Sequence, residues 1–214
     1  MLVRDVMTTN IVTVPSTTSL AEARKIMEAH RVRRLPIVDK GKLVGIVTRD
    51  DLDRAGPSQL TTFSIHEVAY LLGKLTVREV MRKDLVTIGP NATVEEGVAL
   101  AQARKVGALL VLDGGRLAGI ATTNDFFYKI LNPTLGIGQP GSRVVVHNCC
   151  GAADITKILA AVDKMGFEVA SLYTLKIAAE SERCDCTLHL NVPEAEQVVA
   201  ELSKMGYEIE KVAR

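Results

Sequence analysis

Charge of one sign is the first thing this chain lacks. Its 26 Lys and Arg are balanced by 25 Asp and Glu, a formal net charge of +1, so no global field draws it to nucleic acid or to an anionic membrane. Neither a helix-turn-helix signature nor a basic stripe appears. Long apolar runs are missing as well. The opening Met-Leu-Val-Arg-Asp-Val-Met has no apolar signal core, and no stretch approaches the ~18 residues of a membrane span. The expected location is the cytoplasm. Cysteine is scarce, and its four copies all fall between 149 and 186, too few and too clustered for a secreted disulfide framework. Thiols in a reducing compartment are expected. Catalytic patterns are absent too: no Ser-His-Asp order, Walker loop, metal-ligand helix or paired carboxylates in an evident cleft, and His66 falls on a linker helix where exposure is the default. No catalytic residue, no catalytic cofactor and no enzymatic activity is expected. At 214 residues the chain can form one large or two small domains with a real core.

What the chain does have is a repeat. Arg4 to Leu52 recurs as Arg78 to Phe126, seventy-four positions on and without a gap, with sixteen of forty-nine pairs identical. Among the identities are Met7/Met81, Gly45/Gly119, Thr48/Thr122 and Asp51/Asp125, so Gly-x-x-Thr-x-x-Asp follows a strand twice. Each copy reads β-α-β-β-α. In the first, Ile11 to Val14 is a β-branched run stopped by Pro15. Ser16 to Ser19 offer helix caps before the stripe Leu20, Ala23, Ile26, Met27 and His30. Leu35 to Val38 and Leu43 to Val47 are strands joined by a hairpin turn at Asp39-Lys40-Gly41, and a short helix opens at Asp50. The second copy has its turn at Asp113-Gly114-Gly115. Between the copies, Ile65, Val68, Ala69, Leu72 and Leu75 mark a linker helix.

A Gly- and Pro-rich stretch, Asn132 to Ser142, reads as a boundary. Beyond it, Lys164 to Val169 recurs as Lys204 to Ile209, each a helix ending on a glycine cap before a strand. The pattern there is β-α-β-β-α-β. The expected organisation is 1–57 and 76–131 for the two copies, 58–75 for the linker helix, 132–142 for a hinge and 143–214 for the last domain. A four-stranded sheet with helices on one face leaves the other to be covered, and a second copy of the chain is the expected cover.

The twin Gly-x-x-Thr-x-x-Asp tails, the Leu35-Pro36-Ile37-Val38-Asp39 strand and the Arg4-Asp5-Val6-Met7 entry resemble a pair of cystathionine-β-synthase (CBS) domains, over roughly residues 1–131. Residues 142–214 resemble an ACT domain. The whole order, with Ser64-Ile65-His66-Glu67-Val68 in the linker and Gln139-Pro140-Gly141-Ser142 before the last domain, resembles the acetoin-utilisation (AcuB-type) regulators. The resemblance implies a mixed α/β fold, a tandem CBS pair followed by a ferredoxin-like ACT domain, and a regulatory homodimer whose regulated enzyme is unknown. It implies an adenosine-containing ligand in clefts between the CBS copies: AMP, ADP or ATP, with S-adenosylmethionine or NAD as alternatives.

The resemblance gives Asp51 and Asp125 the ribose hydroxyls, and Thr48 and Thr122 a phosphate. The plain alternative is that each Asp caps the short helix after its strand. Arg33 and Arg34 have Gly107 and Ala108 as counterparts, and a guanidinium pair beside a strand suits bidentate phosphate binding. The alternative is a solvated basic face, or partners for Asp39, Asp50 and Asp53. The first cleft is therefore expected to carry the charge, and the second to hold a less charged ligand or none. Base contacts in the family fall on Ile11 to Thr13, Leu85 to Thr87, Ile37 and Val111; Thr13 and Thr87 are the polar members. In the ACT-like part, Asn148, Gly151 and Ala152 occupy the ligand loop, where Cys149-Cys150-Gly151-Ala152 replaces the frequent Pro-Gly pair.

The four cysteines, with His147 and His189 nearby, invite a metal site. Taking the first and third strands of the last domain as parallel neighbours would put the two cysteine pairs roughly 20 Å apart at ~3.3 Å per residue, beyond the ~2.3 Å reach of zinc to sulfur. No metal is expected, and inert cysteines come ahead of a redox-sensing thiol.

Overall fold

The computed structural model describes residues 1–55, 74–176 and 184–212. The linker helix expected over 58–75 falls, but for its last two residues, outside them. The chain divides into two units, Met1–Asp125 and Phe126–Arg214.

In the N-terminal unit each copy builds the same parts from the same local signals. Helix Leu20–Ala29 and its counterpart Val94–Ala103 start at Ser19 and Thr93, whose side chains accept from the backbone N–H of Glu22 and Glu96. Strands β1 (Arg34–Asp39) and β2 (Lys42–Thr48) pair antiparallel, with a register shift between Ile37 and Val38. Strands β4 (Ala108–Asp113) and β5 (Arg116–Thr122) repeat this, with the shift between Val111 and Leu112. Both hairpins turn on two consecutive residues with positive φ, Lys40-Gly41 and Gly114-Gly115, as a right-twisted two-residue turn requires. The strand expected over 11–14 shrinks to one parallel bridge, Val14 to Ile37. Its counterpart is the two-residue strand β3 (Thr87–Ile88), parallel to β4.

The copies are joined by an exchange. The segment after Met7 bonds to β5 of the other copy, Thr8 N–H to Ile120 O at 2.9 Å and Ile120 N–H to Thr8 O at 3.0 Å. The segment after Met81 bonds to β2, Ile46 N–H to Arg82 O at 3.0 Å and Arg82 N–H to Ile46 O at 2.9 Å. A Cβ on Gly119 would sit 2.3 Å from Met7 Sδ, and one on Gly45 would sit 2.5 Å from Met81 Sδ. Each glycine is thus needed by the methionine of the opposite copy, and this accounts for both repeated pairs.

The C-terminal unit carries a four-stranded sheet in the order β7-β8-β6-β9, from Val169–Lys176, Cys184–Leu190, Ser142–Val146 and Ile209–Val212. Helices Ala152–Lys164 and Glu196–Lys204 cover one face, where Val144, Val146, Cys186, Leu188 and Leu190 meet Ile158, Val162, Val198 and Leu202. Gly166 and Gly206 end these helices with φ of +77° and +91°. One expectation is corrected here. The first and third strands are antiparallel, Ser142 facing Leu190 and Val146 facing Cys186, because in this topology the parallel partners β6 and β7 have β8 inserted between them. The segment expected as a hinge is a short helix, Asn132–Leu135, and a turn through Gly136. It lies on the sheet face away from the two long helices: Ser171 Oγ donates to Thr134 O at 2.7 Å, and the His189 ring abuts Gly136 and Gly141. That face is partly covered by its own chain, which removes part of the reason for expecting a second copy there.

A basic cleft as candidate functional site

The twin Thr-x-x-Asp motifs form the first turns of the short helices that begin at Arg49 and Thr123. Thr48 Oγ1 donates to Asp51 Oδ2 at 2.6 Å, Thr48 N–H to the same oxygen at 3.0 Å, and Asp51 N–H returns to Thr48 Oγ1 at 3.2 Å. Thr122 and Asp125 repeat these contacts at 2.6, 2.9 and 3.3 Å. Both are reciprocal capping boxes, so the capping reading describes the geometry of each carboxylate. The remaining oxygens differ. Asp125 Oδ1 accepts from Thr8 Oγ1 at 3.0 Å. Asp51 Oδ1 accepts from Arg82 Nη2 at 2.8 Å and Nε at 3.2 Å. Burial alone would raise the Asp51 carboxyl, but the Arg82 guanidinium and the Thr48 hydroxyl and N–H outweigh it and hold it below the usual carboxylate range. In return the carboxylate raises Arg82.

Between the copies lies a cavity of about 780 Å³, a size suited to a small organic ligand. Arg33, Arg34, Arg82, Lys83, Arg104 and Lys105 line it against two carboxylates, Asp50 and Asp84. Thr48 and Thr122 bring hydroxyls from both copies, and Ile46, Val86, Ala108 and Leu110 supply apolar wall. The Arg34 guanidinium lies against Gly107, where a Cβ would stand 2.7 Å from Nη2. Burial, then the neighbouring Arg33 charge, lowers its pKa. Arg33 stands 3.8 Å from Asp50 with both side chains largely exposed, a pairing worth little in water.

Of the ten residues expected at a nucleotide site, Arg33, Arg34, Thr48 and Thr122 line this cavity. Asp51 and Asp125 stand directly behind the two threonines. Ile37 and Val111 are fully buried in the unit's core, while Thr13 and Thr87 are exposed. Arg33 and Arg34 share the cavity with Val86, Leu110 and Thr122 of the second copy and with Ile46 and Thr48 of the first. Arg82 and Lys83 went unnoticed in the sequence. Their signal was available, since the repeat has Thr8 and Thr9 at those positions.

In the C-terminal unit, antiparallel pairing brings the cysteines to one end of the sheet. Cys149 N–H donates to Cys184 O at 2.7 Å, and Cys150 is bonded to Cys184 as a disulfide. The expectation of four thiols is corrected for this pair, and the cytoplasmic reading that rested on it loses that support. Cys149 and Cys186 are free and buried. Burial, with the adjacent Cys149 adding, pushes the Cys186 thiol up to about 11. His147 Nδ1 and Asp185 Oδ2 are 2.8 Å apart, and Asn148 N–H donates to Asp185 Oδ1 at 3.1 Å. Among the described residues no group of three or more His, Cys, Asp or Glu could hold a metal ion. Asn148 and Gly151, the expected ligand loop with Ala152, flank the cysteine pair at the entry to helix Ala152–Lys164.

The CBS domain family model matches the chain twice, over residues 3–58 and 77–132. The chain belongs to the CBS-domain family. A Vibrio cholerae protein given the acetoin-utilisation name AcuB is 34% identical in a crystal structure that superposes with a TM-score of 0.52, over 62% of this chain and 91% of that one. The CBS domain-containing protein YhcV of Bacillus subtilis is 31% identical over 123 residues, 58% of this chain and 81% of its own length. An inosine-5'-monophosphate dehydrogenase from Korarchaeum cryptofilum is 31% identical over 178 residues. The match takes in 81% of this chain, which spans about a third of that enzyme's length, 34%. CBS-domain pairs are regulatory ligand-sensing modules. Among the described residues no helix is long and apolar enough to cross a membrane.

Proposed function

We propose that this chain is a regulatory sensor that binds an adenine nucleotide in the cleft between its CBS copies and carries out no chemistry itself. We further propose that residues 143–214 form an ACT-like dimerisation or effector domain. The cavity carries the reading: six cations and three threonines meet an apolar wall in a volume of about 780 Å³. Phosphate suits the guanidinium groups, and an adenine ring suits Val86, Ala108 and Leu110. AMP, ADP and ATP are the ligands of choice, because an uncharged nucleoside would leave the Arg33–Arg34 pair unused. A redox input through the C-terminal unit is a second reading, favoured by the Cys150–Cys184 bridge beside two free thiols.

Calorimetric titration tests the sensor reading. Hydrogen bonds to charged groups contribute ~1.5 to 3 kcal/mol, so Arg33→Ala with Arg34→Ala weakens nucleotide binding at least tenfold and leaves adenosine nearly unchanged. Unaltered nucleotide affinity in this variant would reduce the two arginines to surface charge.

A further inference from the structure

We infer that Cys149, Cys150, Cys184 and Cys186 form a zinc–thiolate site in the reduced chain, and that the Cys150–Cys184 bridge is the oxidised state of that site. The inference deepens the redox reading above and rests on the bridge being reducible; it is independent of the nucleotide cleft.

All four cysteines of the chain meet at one end of the C-terminal sheet. The Cα atoms of Cys150 and Cys184 are 5.7 Å apart. Cys186 follows Cys184 by two strand positions, about 6.6 Å, and on the same face, since side chains alternate along a strand. Cys149 N–H donates to Cys184 O at 2.7 Å, and its side chain packs into the same core cluster as Cys186. These separations let four thiolates reach one ion with Zn–S bonds of ~2.3 Å. Asp185 alternates to the opposite face, where it meets His147, so neither belongs to the set. The bridge conceals the set: with Cys150 and Cys184 bonded, two free thiols stand here, and the described residues offer no group of three ligands.

Burial indicates what the two remaining thiols are for. Cys149 and Cys186 are 1% and 0% exposed, and a thiol buried in apolar surroundings is inert as a redox nucleophile. A metal ion changes this, because a coordinating thiol is deprotonated outright. Thiolates select soft ions such as zinc over magnesium or calcium. A sheet end closed by the bridge under oxidising conditions is thus closed by zinc under reducing ones. The exchange balances. A dithiol passes two electrons and two protons to the bridge and leaves as a disulfide, and the four thiols release their protons as the zinc ion enters. In reverse, hydrogen peroxide takes two electrons from the Cys150 and Cys184 thiolates and, with two protons, leaves as water; the bridge forms, zinc departs, and Cys149 and Cys186 are reprotonated.

The test uses the full chain, reduced by a dithiol, freed of it without air and dialysed against zinc chloride, with thiols and zinc both counted. The dithiol should raise the free thiols from two to all four, and the reduced chain should then hold one zinc where the oxidised chain holds none. Cobalt(II) in its place should give the visible bands of a tetrahedral thiolate complex. Zinc should also restore the melting temperature that reduction lowers. Cys149→Ala with Cys186→Ala keeps the bridge, so melting of its oxidised form reports whether it folds. Its reduced form should bind cobalt more than ~100-fold more weakly, beyond the loss expected when only a contact around the ligands is removed. Reduced wild type that binds no zinc, or a folded double variant that keeps its cobalt affinity, overturns the metal site and leaves the redox reading standing. A thiol count that stays at two in the native chain under the dithiol overturns both.

Discussion

Gly45 and Gly119 have ordinary negative φ, so backbone freedom does not explain them. Contact does: their missing Cβ atoms make room for Met81 and Met7. Gly119→Ala forces the Met7 side chain to shift within a packed interior, at about 1 to 3 kcal/mol. Chemical denaturation measures this, and the loss in Gly119→Ala combined with Met7→Ala should fall below the sum of the two single losses, because the clash is shared. By contrast Gly114 has open space around its Cβ position but a φ of +54°, so its role is in the turn. The sequence shows both as repeated or turn glycines. Gly119 could not be explained from local sequence, because its partner lies 112 positions away.

Strand Cys184–Leu190 is buried at every residue, and its start is fixed to the loop after Val146 by the Cys150–Cys184 bridge. A bridge closing a loop of 34 residues stabilises by about 3 to 4 kcal/mol in the chain-entropy account. A reductant should therefore lower the melting temperature of the C-terminal unit and leave that of the CBS pair unchanged. Cys186, with its thiol near 11, is protonated at neutral pH. Iodoacetamide at pH 8 should leave it and Cys149 unlabelled in the native oxidised protein, and labelling of Cys186 under those conditions would show that the strand opens. Element types were readable in advance from the caps, the hairpin turns and the glycine-terminated helices. Strand direction is not readable in this way: parallel neighbours would put the cysteine pairs roughly 20 Å apart, whereas the antiparallel sheet has Cys150 bonded to Cys184. Period and turn chemistry describe neighbours along the chain, whereas strand direction across a sheet is decided by topology.

At the scale of the molecule, exposed apolar side chains on the C-terminal unit support the proposed dimer even though the sheet face is partly self-covered. Phe127, Tyr128, Ile137 and Leu175 are all more than half exposed. Light scattering at micromolar concentration should give twice the chain mass of 23.1 kDa, and a monomer would count against dimerisation. The duplicated plan was visible in the sequence because identities recur at one offset. Which copy lends charge to which was not, since that depends on how the copies face each other. The crossed methionines have a consequence of their own. A chain holding only one repeat would leave its methionine without a glycine to rest on unless it paired with another such chain, and in that pair every substitution would appear at both sites. Covalent duplication breaks this symmetry: position 82 carries Arg where its counterpart, position 8, carries Thr, so the two copies need not contribute alike.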